Sequence, residues 1–329
     1  MFLSILLFII GLLILIKGAN WLVDGASSLA ARFHISPMVI GLTIVAFGTS
    51  APELVVSVTS ALSGNTEIAL GNIIGSNIVN ILLILGISAI VYPLSVNKNT
   101  VWKEIPMSFL GAVVMTILGL QNILDGNKLS MLTLGSRDVI GSLTFSNGLI
   151  LLSFFIIFLY YTFGIAKTTG EEEPDIKILS HLRSILFIVL GLVALVFGSK
   201  IFVDNAVYLA RSLGVSETFI GLTIVAIGTS MPEMVTSVVA AYKKRVELAI
   251  GNIVGSNIFN IFFILGITSL IKTIPLTGQN LVDILVLFLA TLILFISLFV
   301  YKRHRIGRLE GVFMIACYVG YITFLILRG

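Results

Sequence analysis

The stretch IGLTIVAFGTSAPELVVSV, beginning at Ile40, returns as IGLTIVAIGTSMPEMVTSV beginning at Ile220. GNIIGSNIVNI from Gly71 likewise returns as GNIVGSNIFNI from Gly251, at the same offset of 180 residues. A constant offset over such long stretches is an internal repeat, so any fold must place two copies of one unit. What is duplicated is a set of Gly, Thr, Ser, Asn, Pro and Glu residues inside segments that are otherwise apolar. Polar groups repeated at membrane depth are costly to insert and need a role.

Membrane depth follows from composition. The chain is 57% hydrophobic and 11% charged, with a mean hydropathy of +1.12. A soluble domain carries about 25% charged residues, so that class is excluded. No nucleic-acid signature is present, and the single cysteine, Cys317, lies in an apolar run and supports no disulfide framework. Apolar runs of spanning length occur ten times, near 2–23, 37–63, 68–92, 103–120, 146–166, 181–203, 217–242, 247–272, 281–301 and 308–327. No basic residue precedes the first run, and its end, KGANWLVDGA, matches GSKIFVDNA in the sixth. The first run therefore reads as a helix of the mature protein rather than a leader.

Ten spans divide as five plus five. Because five is odd, the second copy enters the membrane from the opposite side. The expected fold is an all-α membrane protein of ten transmembrane helices in two inverted-topology five-helix repeats, an architecture of alternating-access transporters. The first repeat covers 1–166, with its duplicated part near 39–90. The second covers 181–329, with its duplicated part near 219–270, and a short polar linker, 167–180, separates them. Thirteen Lys and Arg residues fall in or beside the loops after odd-numbered spans, against six on the other side. The excess predicts a cell-membrane protein with the linker in the cytoplasm and both termini outside.

In the second span Thr49 and Glu53 share a helical face, with Ser50 beside them. Pro52 and Gly48 should break the helix and release carbonyls around Ala46, Phe47 and Gly48. Such carbonyls are tolerated only beside protein, a cavity or an ion. The seventh span repeats the pattern with Ala226, Gly228, Thr229, Ser230, Pro232 and Glu233. The third carries Asn72, Ser76 and Asn80 as a stripe, matched in the eighth by Asn252, Ser256 and Asn260. Two carboxylates with hydroxyls, amides and carbonyls make an all-oxygen donor set, which selects hard cations such as Na⁺ and Ca²⁺ over Zn²⁺.

GTSAPE with GNIIGSNIVN, and GTSMPE with GNIVGSNIFN, resemble the two alpha-repeats of the calcium/cation antiporter superfamily, and within it the sodium/calcium exchanger branch. The resemblance covers nearly the whole chain. It implies ligands at Ala46, Thr49, Ser50, Glu53, Ser76 and Asn80, with Ala226, Thr229, Ser230, Glu233, Ser256 and Asn260. Ala46 and Ala226 would act through their carbonyls. It also implies helices 1 and 6 sliding across the bundle to switch access. Proton-coupled members place a Glu after the GN pair, where this chain has Ile74 and Val254. Potassium-dependent relatives carry Asp where this chain has Asn80 or Asn260.

The remaining polar residues have simpler readings. Asn72 and Asn252 divide evenly between ligation and helix bridging. Asn77 and Asn257, about 100° from the stripe, read as packing glue between helices. Gly71, Gly75, Gly251 and Gly255 read as packing residues, Asp24 and Asp204 as caps or interfacial residues near helix ends, and Glu67 and Glu247 as first-turn acids. The segment 121–145 receives no role. The function expected is secondary antiport of Na⁺ against Ca²⁺, with no cofactor and no obligatory protein partner besides the lipid bilayer. A proton-coupled exchanger is the nearest alternative, and a cation channel the alternative of another class. An enzyme is disfavoured: His34, His181 and His304 lie in loops or at helix ends, and no nucleophile–base pair is apparent.

Overall fold

The computed structural model describes residues 1–96, 100–126, 133–165, 178–215, 220, 223–224, 226–300 and 304–328. The helices are α1 (Phe2–Phe33), α2 (Pro37–Thr49), α3 (Ala51–Leu62), α4 (Thr66–Val91), α5 (Val101–Gly119) and α6 (Phe145–Ile165) in the first half. The second half has α7 (His181–Ser212), α8 (Ala226–Thr229), α9 (Met231–Tyr242), α10 (Val246–Ile271), α11 (Gly278–Val300) and α12 (Arg308–Arg328). Among the described residues eight helices are long and apolar enough to cross a bilayer, and the α2–α3 pair, bent by 46°, forms a ninth such unit. Most of the chain leading into α8, where the seventh span was expected to begin, lies outside the described residues. So does most of the 167–180 linker.

Two helices form the centre. In α4 and α10, 78% and 83% of the most apolar window is buried, against 22% in α1 and 28% in α7. Ile73, Ile78, Ile81 and Ile84 of α4 pack in one core with Ile253, Ile258, Phe262 and Leu265 of α10. The acids Glu67 and Glu247 fall in the first turns of these helices, as expected from the helix dipole.

The peripheral pair departs from expectation in length. α1 and α7 each run for 32 residues, about ten beyond the apolar runs that predicted them. At 1.5 Å per residue each is about 48 Å long, well beyond a hydrocarbon core of about 30 Å. They lie antiparallel and mesh through small residues every seven positions: Gly11, Gly18 and Gly25 against Gly198, Gly191 and Ser184. A Cβ on Gly11 would sit 2.7 Å from Phe202 N, and one on Gly25 the same distance from Ser184 O. This close approach is available only to glycine, and it holds the two backbones together where lipid offers no hydrophobic drive. Ser28 Oγ and Ser184 Oγ add a buried hydrogen bond of 2.9 Å.

Two short ribbons link loops from different halves. β1 (Leu94–Ser95) pairs antiparallel with β4 (Arg305–Ile306), and β2 (Val139–Leu143) with β3 (Ile274–Thr277). The segment 121–145 thereby acquires a structure: one helical turn over Gln121–Asp125, then β2, with 127–132 outside the described residues.

Candidate functional site

The chain breaks between α2 and α3 at Ser50, and between α8 and α9 at Ser230. In both places the proline stands in the first turn of the following helix, where its missing N–H costs nothing. The break puts Glu53 and Glu233 in the first turns of α3 and α9. Both are sealed from solvent, at 0% and 1% exposure.

Each carboxylate is held from the other half of the chain. Ser50 Oγ donates to Glu233 Oε1 at 2.9 Å, and Ser230 Oγ donates to Glu53 Oε1 at 3.1 Å. Ser76 Oγ also donates to Glu53 Oε1, at 3.4 Å. The threonines cross in the same way, Thr49 Oγ1 to Asn252 Oδ1 at 3.0 Å and Thr229 Oγ1 to Asn72 Oδ1 at 3.3 Å. Asn72 and Asn252 in turn donate to Ser57 Oγ and Ser237 Oγ at 3.1 and 2.9 Å. They also reach the main-chain oxygens of Glu53 and Glu233 at 3.3 and 3.5 Å.

Asn80 and Asn260 sit where α4 and α10 loosen into π-helical turns, Val79–Ile84 and Phe259–Ile264. A π-turn inserts one residue into the helical register, which re-aims side chains and frees backbone groups, and it is common at functional sites. A third such turn, Gly41–Val45, precedes the break in α2. Several oxygens of these central residues are left over. Glu53 Oε2, Glu233 Oε2, Asn80 Oδ1, Asn260 Oδ1 and Ser256 Oγ are all buried with no hydrogen-bond partner among the described residues. Buried polar atoms are almost always partnered, and free oxygens on two acids, two amides and a hydroxyl have the chemistry to hold a cation.

A profile of the sodium/calcium exchanger protein family matches residues 3–164 and 183–327. The chain belongs to that family. The exchanger MaX1 of Methanosarcina acetivorans is 30% identical to it over 347 residues, covering 98% of each chain. The inner membrane protein YrbG of Escherichia coli is 35% identical over 281 residues, covering 82% of this chain and 81% of its own. Among solved structures, the sodium-calcium exchanger NCX_Mj soaked with 10 mM Na⁺ and no Ca²⁺ superposes with a TM-score of 0.81. The two share 33% identity, with 98% of each chain covered.

Against this family background the structure joins Thr49, Ser50, Glu53, Ser76, Thr229, Ser230 and Glu233 to one cross-linked cluster through the bonds above. The cluster is not uniformly closed: Thr49 and Asn252 are buried, whereas Thr229 and Asn72 are only half-buried. Ala46 O accepts from Ser50 N at 3.0 Å and from Thr49 Oγ1 at 3.4 Å, so this carbonyl is engaged rather than released. Ala226 opens α8. The carbonyl expected to be freed at Gly228 takes a hydrogen bond from Ser199 Oγ of α7 at 2.9 Å.

Asp24 and Asp204 lie inside α1 and α7 rather than at their caps, nine and eight residues before their ends, and the exposed Asp24 forms an ion pair with Lys243 Nζ at 2.7 Å. Asn77 and Asn257 bridge helices by hydrogen bonds, accepting from the amides of Asn260 and Asn80 at 2.9 Å each. Sequence reasoning also passed over Ser57 and Ser237, which hold Asn72 and Asn252. Their signal was available: both are serines at the same offset of 180, four residues after each Glu.

Proposed function

We propose that this chain is a secondary antiporter that moves Na⁺ inward and Ca²⁺ outward through one shared site. The observation that carries the reading is the group of free buried oxygens on Glu53, Glu233, Asn80, Asn260 and Ser256. Two acids, hydroxyls and amides match the six to eight oxygen ligands Ca²⁺ takes at about 2.3–2.6 Å. The names of MaX1 and NCX_Mj as sodium/calcium exchangers support the same ion pair. The full ligand set is Ala46, Thr49, Ser50, Glu53, Ser76 and Asn80, with Ala226, Thr229, Ser230, Glu233, Ser256 and Asn260. Ala46 and Ala226 contribute carbonyl oxygens; Ala46 O, which accepts from Ser50 N and at 3.4 Å from Thr49 Oγ1, gives up the longer bond when it holds an ion. Na⁺ and Ca²⁺ compete for these oxygens, and that competition is exchange.

The architecture is two five-helix repeats of opposite topology, 1–166 and 181–329, joined by a cytoplasmic linker at 167–180, with both termini outside. Support comes from the constant offset of the halves and from the antiparallel packing of α1 against its counterpart α7. In this orientation the half-buried Asn72–Thr229 corner faces outward and the buried Asn252–Thr49 corner faces the cytoplasm. The site is thus poised for outside access, and alternating access reverses the two corners.

The deciding experiment is ⁴⁵Ca²⁺ uptake by proteoliposomes loaded with Na⁺ and diluted into Na⁺-free buffer, beside a K⁺-loaded control. Uptake confined to Na⁺-loaded vesicles establishes the exchange. Uptake driven by a proton gradient without Na⁺ refutes the coupling, and unitary current steps in a planar bilayer refute the antiport mechanism.

A further inference from the structure

At the centre of the molecule four asparagines, two from each half, form a directional set. Asn80 Nδ2 donates to Asn257 Oδ1 and Asn260 Nδ2 donates to Asn77 Oδ1, each at 2.9 Å. All four side chains are buried. In both bonds the donor is the residue assigned to the ion site and the acceptor is its neighbour from the opposite half. A side-chain amide has donors at one end and an acceptor at the other. Committing Nδ2 to the neighbour therefore leaves Oδ1 as the other end, and Oδ1 of both Asn80 and Asn260 is free of hydrogen bonds among the described residues.

The acceptor on Asn77 is itself fixed. Asn77 Nδ2 reaches the main-chain oxygen of Asn257 at 3.4 Å. Turning the Asn77 amide over would set its oxygen against that carbonyl and its nitrogen against the nitrogen of Asn260. An ionised Asp at 260 would place a carboxylate oxygen where Nδ2 now stands, facing Asn77 Oδ1 with no proton between two buried acceptors. Buried acceptors left in that state are strongly unfavourable.

We propose that Asn77 and Asn257 are positioning residues that require an amide, and exclude an ionised acid, at positions 260 and 80. They thereby fix the ligand oxygens and hold the ion site at two carboxylates, Glu53 and Glu233, without touching an ion. The proposal rests on the ion-site reading above. Its consequence is that the charge available to distinguish Na⁺ from Ca²⁺ is set by two uncharged side chains outside the ligand shell.

A double-mutant cycle on Asn260 and Asn77 tests it, with Na⁺-driven ⁴⁵Ca²⁺ uptake measured as maximal rate and KM for Ca²⁺. The assay is run at about pH 8.5, which favours the ionised form of an introduced acid. Asn77→Leu keeps the shape but removes the acceptor. It should raise KM for Ca²⁺ several-fold and leave the maximal rate near that of the parent. Asn260→Asp alone should lower the rate-to-KM ratio by about tenfold or more, and adding Asn77→Leu should restore about fivefold, a coupling within the range seen for contacting residues. A merely structural Asn77 would give losses that add or worsen. Asn77→Thr is measured in parallel and closes the cycle if the leucine variant does not purify as a single species. Losses that add, or an Asn260→Asp exchanger as active as the parent, overturn the proposal. Glu53→Gln, run beside the cycle, separates the two levels. Normal exchange by Glu53→Gln means the ion-site reading has failed; an inactive Glu53→Gln with an additive cycle means only the positioning role has failed.

Discussion

At the centre of the molecule four bonds are answered across the halves: Ser50 holds Glu233 and Ser230 holds Glu53, while Asn80 meets Asn257 and Asn260 meets Asn77. The match is incomplete where Ser76 reaches Glu53 and Ser256 Oγ has no partner among the described residues, and where Asn77 Nδ2 reaches the main chain of Asn257. Along the peripheral helices the same offset of 180 pairs unlike residues. Ser199 of α7 caps the carbonyl of Gly228, but its counterpart on α1 is Ala19, which has no donor. Lys243 pairs with Asp24, whereas at the same offset Asp24 matches Asp204 but Lys243 matches Ser63. The contrast separates two requirements. On the proposed reading an ion held between Glu53 and Glu233 draws on both halves, which is why the bonds there recur in both. The surfaces that decide which side is open need the halves to differ, or the two access states would be equal in energy.

The strongest way to break the central symmetry is to remove one carboxylate. Glu53→Gln and Glu233→Gln should each reduce Na⁺-driven Ca²⁺ uptake by about a hundredfold or more, the equivalent of about 3 kcal/mol of lost binding. The comparison predicts similar losses for the two, and a variant pair differing by more than about tenfold would show that one half dominates. Next in size is packing. A Cβ on Gly251 would lie 2.6 Å from Met38 O, and one on Gly255 2.8 Å from Leu42 Cα. Gly255→Val should therefore destabilise the protein by about 1–3 kcal/mol or prevent its folding, read as a fall in melting temperature. Gly71, the counterpart of Gly251, is exposed, and Gly71→Ala should be tolerated by the same measurement.

Smaller effects belong to the periphery. Ser199→Ala should cost about 1 kcal/mol in thermal stability by leaving a buried carbonyl without its donor, and Ala19→Ser should not produce an equal and opposite change. Lys243→Ser makes the two ends alike. The ion pair is partly exposed, with side-chain exposures of 24% and 49%, so its loss should alter stability by less than about 1 kcal/mol. Its signature should be faster amide hydrogen exchange in the last turns of α1, and unchanged exchange there would show that the pair contributes nothing to closure.

Much of the site could be read from residues alone because the duplication marks it. Ser50, Glu53, Ser230 and Glu233 recur at one offset, and the structure brings them together. The bonding between halves was not legible, since helical periodicity orders residues along one helix and says nothing about which neighbour they meet. That is why Asn77 and Asn257 read as packing. The π-turns at Val79–Ile84 and Phe259–Ile264 were hidden for a related reason: a face drawn with 3.6 residues per turn assumes an unbroken register. The lengths of α1 and α7 were missed because an apolar run measures the bilayer, while a helix continues as far as its neighbour supports it. Asp24 looked terminal only because the hydrophobic stretch ended there.

The crossed serines have one further consequence. Because Ser50 belongs to the half opposite Glu233, and Ser230 to the half opposite Glu53, neither half supplies both an acid and the serine that holds it. Either half on its own would carry one acid facing empty partners. Only the pairing of two such units closes the ring, so loss of registration between them dismantles every corner at once, and the site is a property of their union.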